Sequence, residues 1–64
     1  MTNGQRAGAR RGMRGHEGVR AEETATGLRL FLGGNSQDVA VDANMTAKEV
    51  EAAVKASCLY LIHG

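Results

Sequence analysis

The chain lacks most of the residues that staple or fill a small protein. Its 64 residues include one cysteine, no tryptophan, one phenylalanine and one tyrosine. The single Cys58 excludes an internal disulfide, and its separation from His16 and His63 fits no zinc-binding spacing. We therefore expect no metal site and a core built from leucine, valine, isoleucine and alanine. A chain of this length buries only about 60% of the surface that its unfolded form exposes, so its stability is marginal.

Sequence patterns that carry catalysis are also missing. Asp38 and Asp42 would lie about 13 Å apart on one extended strand, which is too far for an acid–base pair. The Gly33-Gly34 pair precedes a strand pattern and no Gly-Lys-Ser sequence, so it does not indicate a phosphate-binding loop. Cys58 is more typical of a small buried apolar residue than of a nucleophile. The sequence predicts a protein that is not an enzyme and binds no cofactor.

No apolar stretch approaches the roughly 18 residues that a membrane-spanning helix needs. The N-terminal residues also lack the apolar segment of a secretory signal. With a single cysteine, which fits a reducing compartment, these features predict a cytoplasmic protein without a membrane partner.

Charge and glycine divide the chain into two parts. Residues 1–26 carry five arginines against three glutamates, and residues 27–64 carry three basic against four acidic side chains. Residues 1–18 contain five glycines and, apart from Met1 and Met13, no large apolar side chain. Such a composition does not bury enough surface to offset the entropy of ordering the chain. The sequence predicts a disordered tail over residues 1–26 and a folded module over residues 27–64.

The arginines of the tail suggest an alternative function in nucleic-acid binding, because guanidinium groups pair with phosphates. The four candidate residues are Arg6, Arg10, Arg11 and Arg14. No aromatic residue lies among them to stack on bases, and no Arg-Gly-Gly unit repeats. A solvated arm without a ligand is the competing interpretation, and the composition favours it.

From Gly27 onward the pattern is that of a β-hairpin. Leu28, Leu30 and Leu32 recur at every second position, which is the period of a strand with one buried face. Residues 33–36 are a cluster of turn formers, and alternation resumes over residues 38–42. These features predict two antiparallel strands of about five residues each.

The sharpest local signal is a helix start at Thr46. Thr46 and Glu49 have the spacing of a capping box, and Met45 and Val50 have the spacing of a hydrophobic staple. Because two independent devices agree on one boundary, we expect a helix to begin there.

This helix is predicted to run to about Ser57. The apolar residues 58–62 then predict a third strand, and a helix that continues through Leu61 is the competing interpretation. The expected fold class is therefore α+β with the order β-β-α-β, preceded by the disordered tail.

Residues 27–34, 38–42 and 45–50 resemble the start of Ras-associating domains and the first lobe of FERM domains. In those families a strand, a glycine-containing turn and a second strand lead into a helix that begins Thr-Ala-x-(Glu/Asp)-(Val/Leu). The resemblance covers residues 27–57 and implies a partial, ubiquitin-like β-grasp fold. Because such domains have further strands after the helix, it also implies a truncated or minimal relative.

The resemblance further implies that a partner protein adds a strand to the second strand of the hairpin. We therefore expect a non-enzymatic module that binds a protein partner, or a second copy of itself, through a sheet edge or an exposed apolar face. The candidate partner-binding residues are Arg29, Asp38, Ala40 and Asp42. The second strand carries aspartates and no basic residue, which favours general protein binding over Ras binding. A gene fragment without independent function is a further alternative.

Overall fold

The computed structural model describes residues 1–63 and shows elements in the order α-β-β-β-α. Helix α1 spans Asn3–Met13 and helix α2 spans Ala47–His63. Between them lie strands β1 (Arg20–Thr24), β2 (Gly27–Leu32) and β3 (Asn35–Ala40), which form one antiparallel sheet in the order β1-β2-β3. The expected α+β class is confirmed, but the element order differs from β-β-α-β.

The predicted hairpin is confirmed as β2 and β3, with a shorter turn than the sequence suggests. Leu32 pairs directly with Asn35, so only Gly33 and Gly34 lie in the turn. Gly33 has a φ of 60°, the positive value that the first position of a type II′ turn requires. Because two residues suffice for this turn, the second strand begins at Asn35 rather than Asp38.

The predicted start of α2 is confirmed. The Glu49 amide donates to Thr46 Oγ1 at 3.1 Å, and the Thr46 amide donates to Glu49 Oε1 at 2.9 Å. These reciprocal bonds complete the capping box. Met45 packs against the core and Val50 is fully buried, as a hydrophobic staple requires.

The end of α2 corrects the prediction of a third strand over residues 58–62. The helix continues to His63, as the competing interpretation had it. No glycine or proline interrupts this segment, and Cys58 and Leu61 extend the buried stripe that begins with Val50 and Val54. Helical packing therefore outweighs the β propensity of the apolar run.

The prediction of a disordered tail over residues 1–26 is also wrong, since α1 and β1 both lie within it. Thr2 and Gln5 form a second capping box, in which the Gln5 amide donates to Thr2 Oγ1 at 3.1 Å. Ala9 and Val19 are buried in the same core as the module. The two predicted parts thus share one hydrophobic core.

Two glycines of α1 allow this helix to pack closely against α2. A Cβ atom on Gly8 would collide with the Ala47 carbonyl oxygen, and one on Gly12 would lie 2.6 Å from the Glu51 carbonyl oxygen. The two glycines therefore let α1 approach the backbone of α2 more closely than any side chain would allow. Each glycine lowers helix propensity by about 0.8–1 kcal/mol relative to alanine, and the close packing offsets that loss.

The sheet and the two helices form two layers. Helix α2 packs under β2 and β3, while α1 packs beside α2 and is joined to β1 by the Arg6–Glu23 ion pair. The core residues are Ala9, Val19, Leu28, Leu30, Val39, Val50, Val54, Cys58 and Leu61. The opposite, outer face of the sheet is mostly exposed within residues 1–63. No helix in this part of the chain is long and apolar enough to span a bilayer.

Candidate functional site

Strand β3 forms one edge of the sheet, and its backbone groups alternate in direction. The Val41 amide donates to the Thr26 carbonyl at 2.9 Å, which marks this pair as a hydrogen-bonded pair just beyond the strand. Because bonded and non-bonded pairs alternate in an antiparallel ladder, the odd-numbered residues of β3 bond to β2. The even-numbered residues then direct their N–H and C=O groups to the open edge. These residues are Ser36, Asp38 and Ala40.

Three of the four predicted partner-binding residues lie together on the outer face beside this edge. Arg29 Nε donates to Asp38 Oδ1 at 2.7 Å, and Arg29 Nη2 lies 3.4 Å from Oδ2. The hydrogen bond from Arg29 lowers the pKa of the Asp38 carboxyl below its ordinary value. Ala40 is exposed at the end of the strand.

Asp42, the fourth predicted residue, does not belong to this edge. Strand β3 ends at Ala40, and Asp42 lies in the loop that leads to α2. Its Oδ1 accepts from the Asn44 amide at 2.7 Å, and its carbonyl oxygen accepts from Gln5 Nε2 at 2.9 Å. Asp42 therefore shapes the loop and connects it to α1.

A groove that the sequence does not predict adjoins the β3 edge. Asn35, Ser36, Tyr60 and Leu61 line a depression of about 190 Å³ between the start of β3 and the last turns of α2. Tyr60 is 64% exposed. The sequence does not predict this groove, because it predicts a strand over residues 58–62 where α2 continues.

The four arginines proposed for nucleic-acid contact divide into two groups. Arg6 Nε donates to Glu23 at 2.8 Å and lowers the pKa of that carboxyl, and Arg11 Nε donates to Glu51 at 2.9 Å. Arg10 and Arg14 are exposed and form no ion pair with residues 1–63. Arg6 and Arg11 thus support the fold, and Arg10 and Arg14 are left for a ligand.

The reactive side chains of the described residues are dispersed. No group of three or more histidine, cysteine, aspartate or glutamate residues within 1–63 has the arrangement of a metal site. Cys58 is fully buried, and its burial raises the pKa of the thiol, which disfavours the reactive thiolate. The features with binding chemistry are therefore the β3 edge, its groove and the arginine-bearing side of α1.

Comparison with known proteins finds no family model, no curated protein and no solved structure that matches this chain.

Proposed function

We propose that the chain is a non-enzymatic protein-interaction module that adds an extended segment of a partner protein to the open edge of β3. The observation that supports this function most strongly is the row of outward-facing backbone groups on Ser36, Asp38 and Ala40. Such a row pairs with any extended chain, and the neighbouring side chains then select among partners.

The side chains beside the edge favour a particular partner chemistry. On the outer face, Asp38 is bound by Arg29, but its side chain is still 67% exposed, so its carboxylate can also accept from a basic residue placed opposite it on the added strand. On the inner side, Tyr60 offers a partly exposed ring to an apolar residue of the same strand. Strand β3 of a second copy carries no basic residue to place opposite Asp38, so self-pairing matches this edge less well. We therefore assign the edge to a different protein with alternating basic and apolar residues.

The resemblance to Ras-associating and FERM-type domains supports the same edge. Strands β2 and β3 and the Thr46-capped helix coincide with the segment that carries the resemblance. In those families the partner's strand adds to the second strand of the hairpin, which here is β3. We propose that residues 27–57 act as a ubiquitin-like binding unit and that α1 and β1 complete its core.

A proline at Ala40 tests the edge directly. Because the Ala40 N–H faces outward, Ala40→Pro removes a donor at the edge and leaves the β2–β3 bonds intact. Ala40→Val is the matched control, because valine is similar in size to proline and keeps the backbone N–H. Peptides selected from a random display library against the folded chain should bind the Ala40→Pro variant at least about tenfold more weakly. Their affinity for Ala40→Val should be unchanged.

The groove is tested with two exposed residues of the same helix turn. Tyr60→Ala should weaken the selected peptides, whereas Leu59→Ala, which removes a side chain of 41% exposure outside the groove, should not. Selected peptides that bind all four variants alike would contradict the proposal. Sedimentation measures whether the chain dimerises. A concentration-dependent dimer that Ala40→Pro abolishes would show that the edge binds a second copy of the chain and not a different protein.

A further inference from the structure

The outer face of the sheet carries one aromatic ring beside an arginine. Phe31 on β2 pairs directly with Arg20 on β1, so both side chains project from the same face. They line a depression of about 460 Å³ that is bounded by Gly18 and Gly33. Because both boundary residues are glycines, no side chain stands over the ring from either of them. The ring, which is only partly buried, is therefore open to a flat ligand.

One unpaired arginine of α1, Arg10, lies beside the same edge on the helical side. Arg10 lines a second depression, of about 190 Å³, together with Met13 and Ala21. Ala21 lines both depressions, so the two lie on either side of β1. Arg14 follows Arg10 by four residues at the C-terminal cap of α1, which continues the row towards the loop that enters β1.

The charges of this edge leave an excess of positive charge. Arg10, Arg14 and Arg20 form no ion pair within residues 1–63. The acidic residues nearby are Glu17, Glu22 and Glu23. Of these, Glu23 is bound by Arg6, whereas Glu22 forms no ion pair within residues 1–63 and itself lines the depression beside Phe31. The three unpaired guanidinium groups thus outnumber by one the two unpaired carboxylates of this region, those of Glu17 and Glu22.

We propose that the β1 edge binds single-stranded nucleic acid, with one base stacked on Phe31 and phosphates held by Arg10, Arg14 and Arg20. Paired bases are already stacked inside a duplex, so an isolated surface ring selects an unpaired base. Arginine beside the ring adds a charged contact to the backbone of the same nucleotide. The β1 edge lies on the opposite side of the sheet from the β3 edge, with Phe31 on the central strand between them, where it pairs with Ser36.

Binding is measured by fluorescence anisotropy of a labelled oligouridylate across a salt series. Three phosphate contacts predict a log–log salt slope of about −2. Arg10→Gln should reduce the magnitude of that slope by about 0.7. Arg11→Gln is the matched control, because it removes the same charge from the adjacent residue, whose guanidinium is bound to Glu51. Equal losses from both variants would show general charge attraction and overturn the site.

The stacking contact is tested at Phe31. Stacking of one base contributes roughly 5- to 100-fold in affinity, so Phe31→Thr should weaken binding by that factor. Phe31→Trp should retain binding, and as the sole tryptophan of the chain its fluorescence should be quenched by the oligouridylate. Circular dichroism of each variant checks that the fold is kept. No binding at low salt, a tryptophan signal that the ligand leaves unchanged, or a preference for duplex RNA would each refute the proposal.

Discussion

Replacement of the glycines of α1 by alanine is expected to change stability in opposite directions along one helix. At an exposed helix position this substitution stabilises by about 0.8–1 kcal/mol, because alanine has the higher helix propensity. Gly4 is such a position, since a Cβ there would meet nothing closer than Thr2 Oγ1 at 3.9 Å. Because Gly4 is the second residue of α1 and not in the helix interior, Gly4→Ala should gain part of this energy and raise the melting temperature by less than about 4–8 °C.

At Gly8 and Gly12 the packing against α2 reverses the sign. The new methyl group at Gly12 would lie 2.6 Å from the Glu51 carbonyl oxygen and 3.0 Å from Val54 Cβ. At Gly8 the obstacle is backbone alone, the Ala47 carbonyl group, which moves only if α2 moves. Overpacking of this kind costs about 1–3 kcal/mol, which exceeds the propensity gain. We expect a net loss that is larger for Gly8→Ala than for Gly12→Ala.

Thermal melts followed by circular dichroism, with urea titrations for the free energy of unfolding, compare the three variants. The predicted order of stability is Gly4→Ala, wild type, Gly12→Ala and Gly8→Ala. A rise for all three would mean that α1 is helical but does not dock on α2. No change for any of them would mean that residues 3–13 are not helical. Either result would refute the packing argument.

Three further predictions concern the buried amide, the ion pairs and the thiol. Gln5 is 3% exposed, and its Nε2 donates to the carbonyls of Asp42 and Met45 at 2.9 and 3.0 Å. Because the Asp42 carbonyl also accepts from the Met45 backbone amide at 3.2 Å, Gln5→Ala removes the partner of the Met45 carbonyl alone and should cost about 1–3 kcal/mol in urea unfolding; an unchanged midpoint would contradict this. Glu23 and Asp38 have pKa values below their ordinary 4.5 and 3.8. The stability they add is therefore complete above pH 5 or so and is lost as the pH falls through the lowered values, a decline that a Glu23→Gln, Asp38→Asn double variant should flatten. Cys58 should react with a thiol reagent far more slowly in the native chain than in urea, and equal rates would show that it is not buried.

Local sequence signals predicted those parts of the fold that short-range physics determines. The start of α2 follows from four residues that contact one another within one turn, so no tertiary information was needed. The β2–β3 hairpin follows from alternating leucines and a glycine pair. The strand boundaries shifted because the turn type depends on φ angles, such as that of Gly33, rather than on composition.

The segments that were mispredicted are those whose structure depends on contacts distant in sequence. Glycine-rich residues 3–13 form a helix because α2 accepts them at close range. Two signals could have revealed it: the Thr2/Gln5 capping box, and the recurrence of glycine every four residues from Gly4. The sequence does not predict the groove at Tyr60, because it predicts a strand over residues 58–62 where α2 continues. It does not predict the pairing of Arg20 with Phe31, because Arg20 falls in the predicted tail.

Residue-resolved amide hydrogen exchange, with and without a selected peptide, tests the proposed binding edge most directly. In the free chain the amides of Ser36, Asp38 and Ala40 should exchange rapidly, while those of Gln37 and Val39 are protected by β2. The account predicts that the peptide slows exchange at the three outward-facing amides and leaves the other two unchanged. Protection confined to other residues, with these three amides still exchanging rapidly, would contradict strand addition at β3.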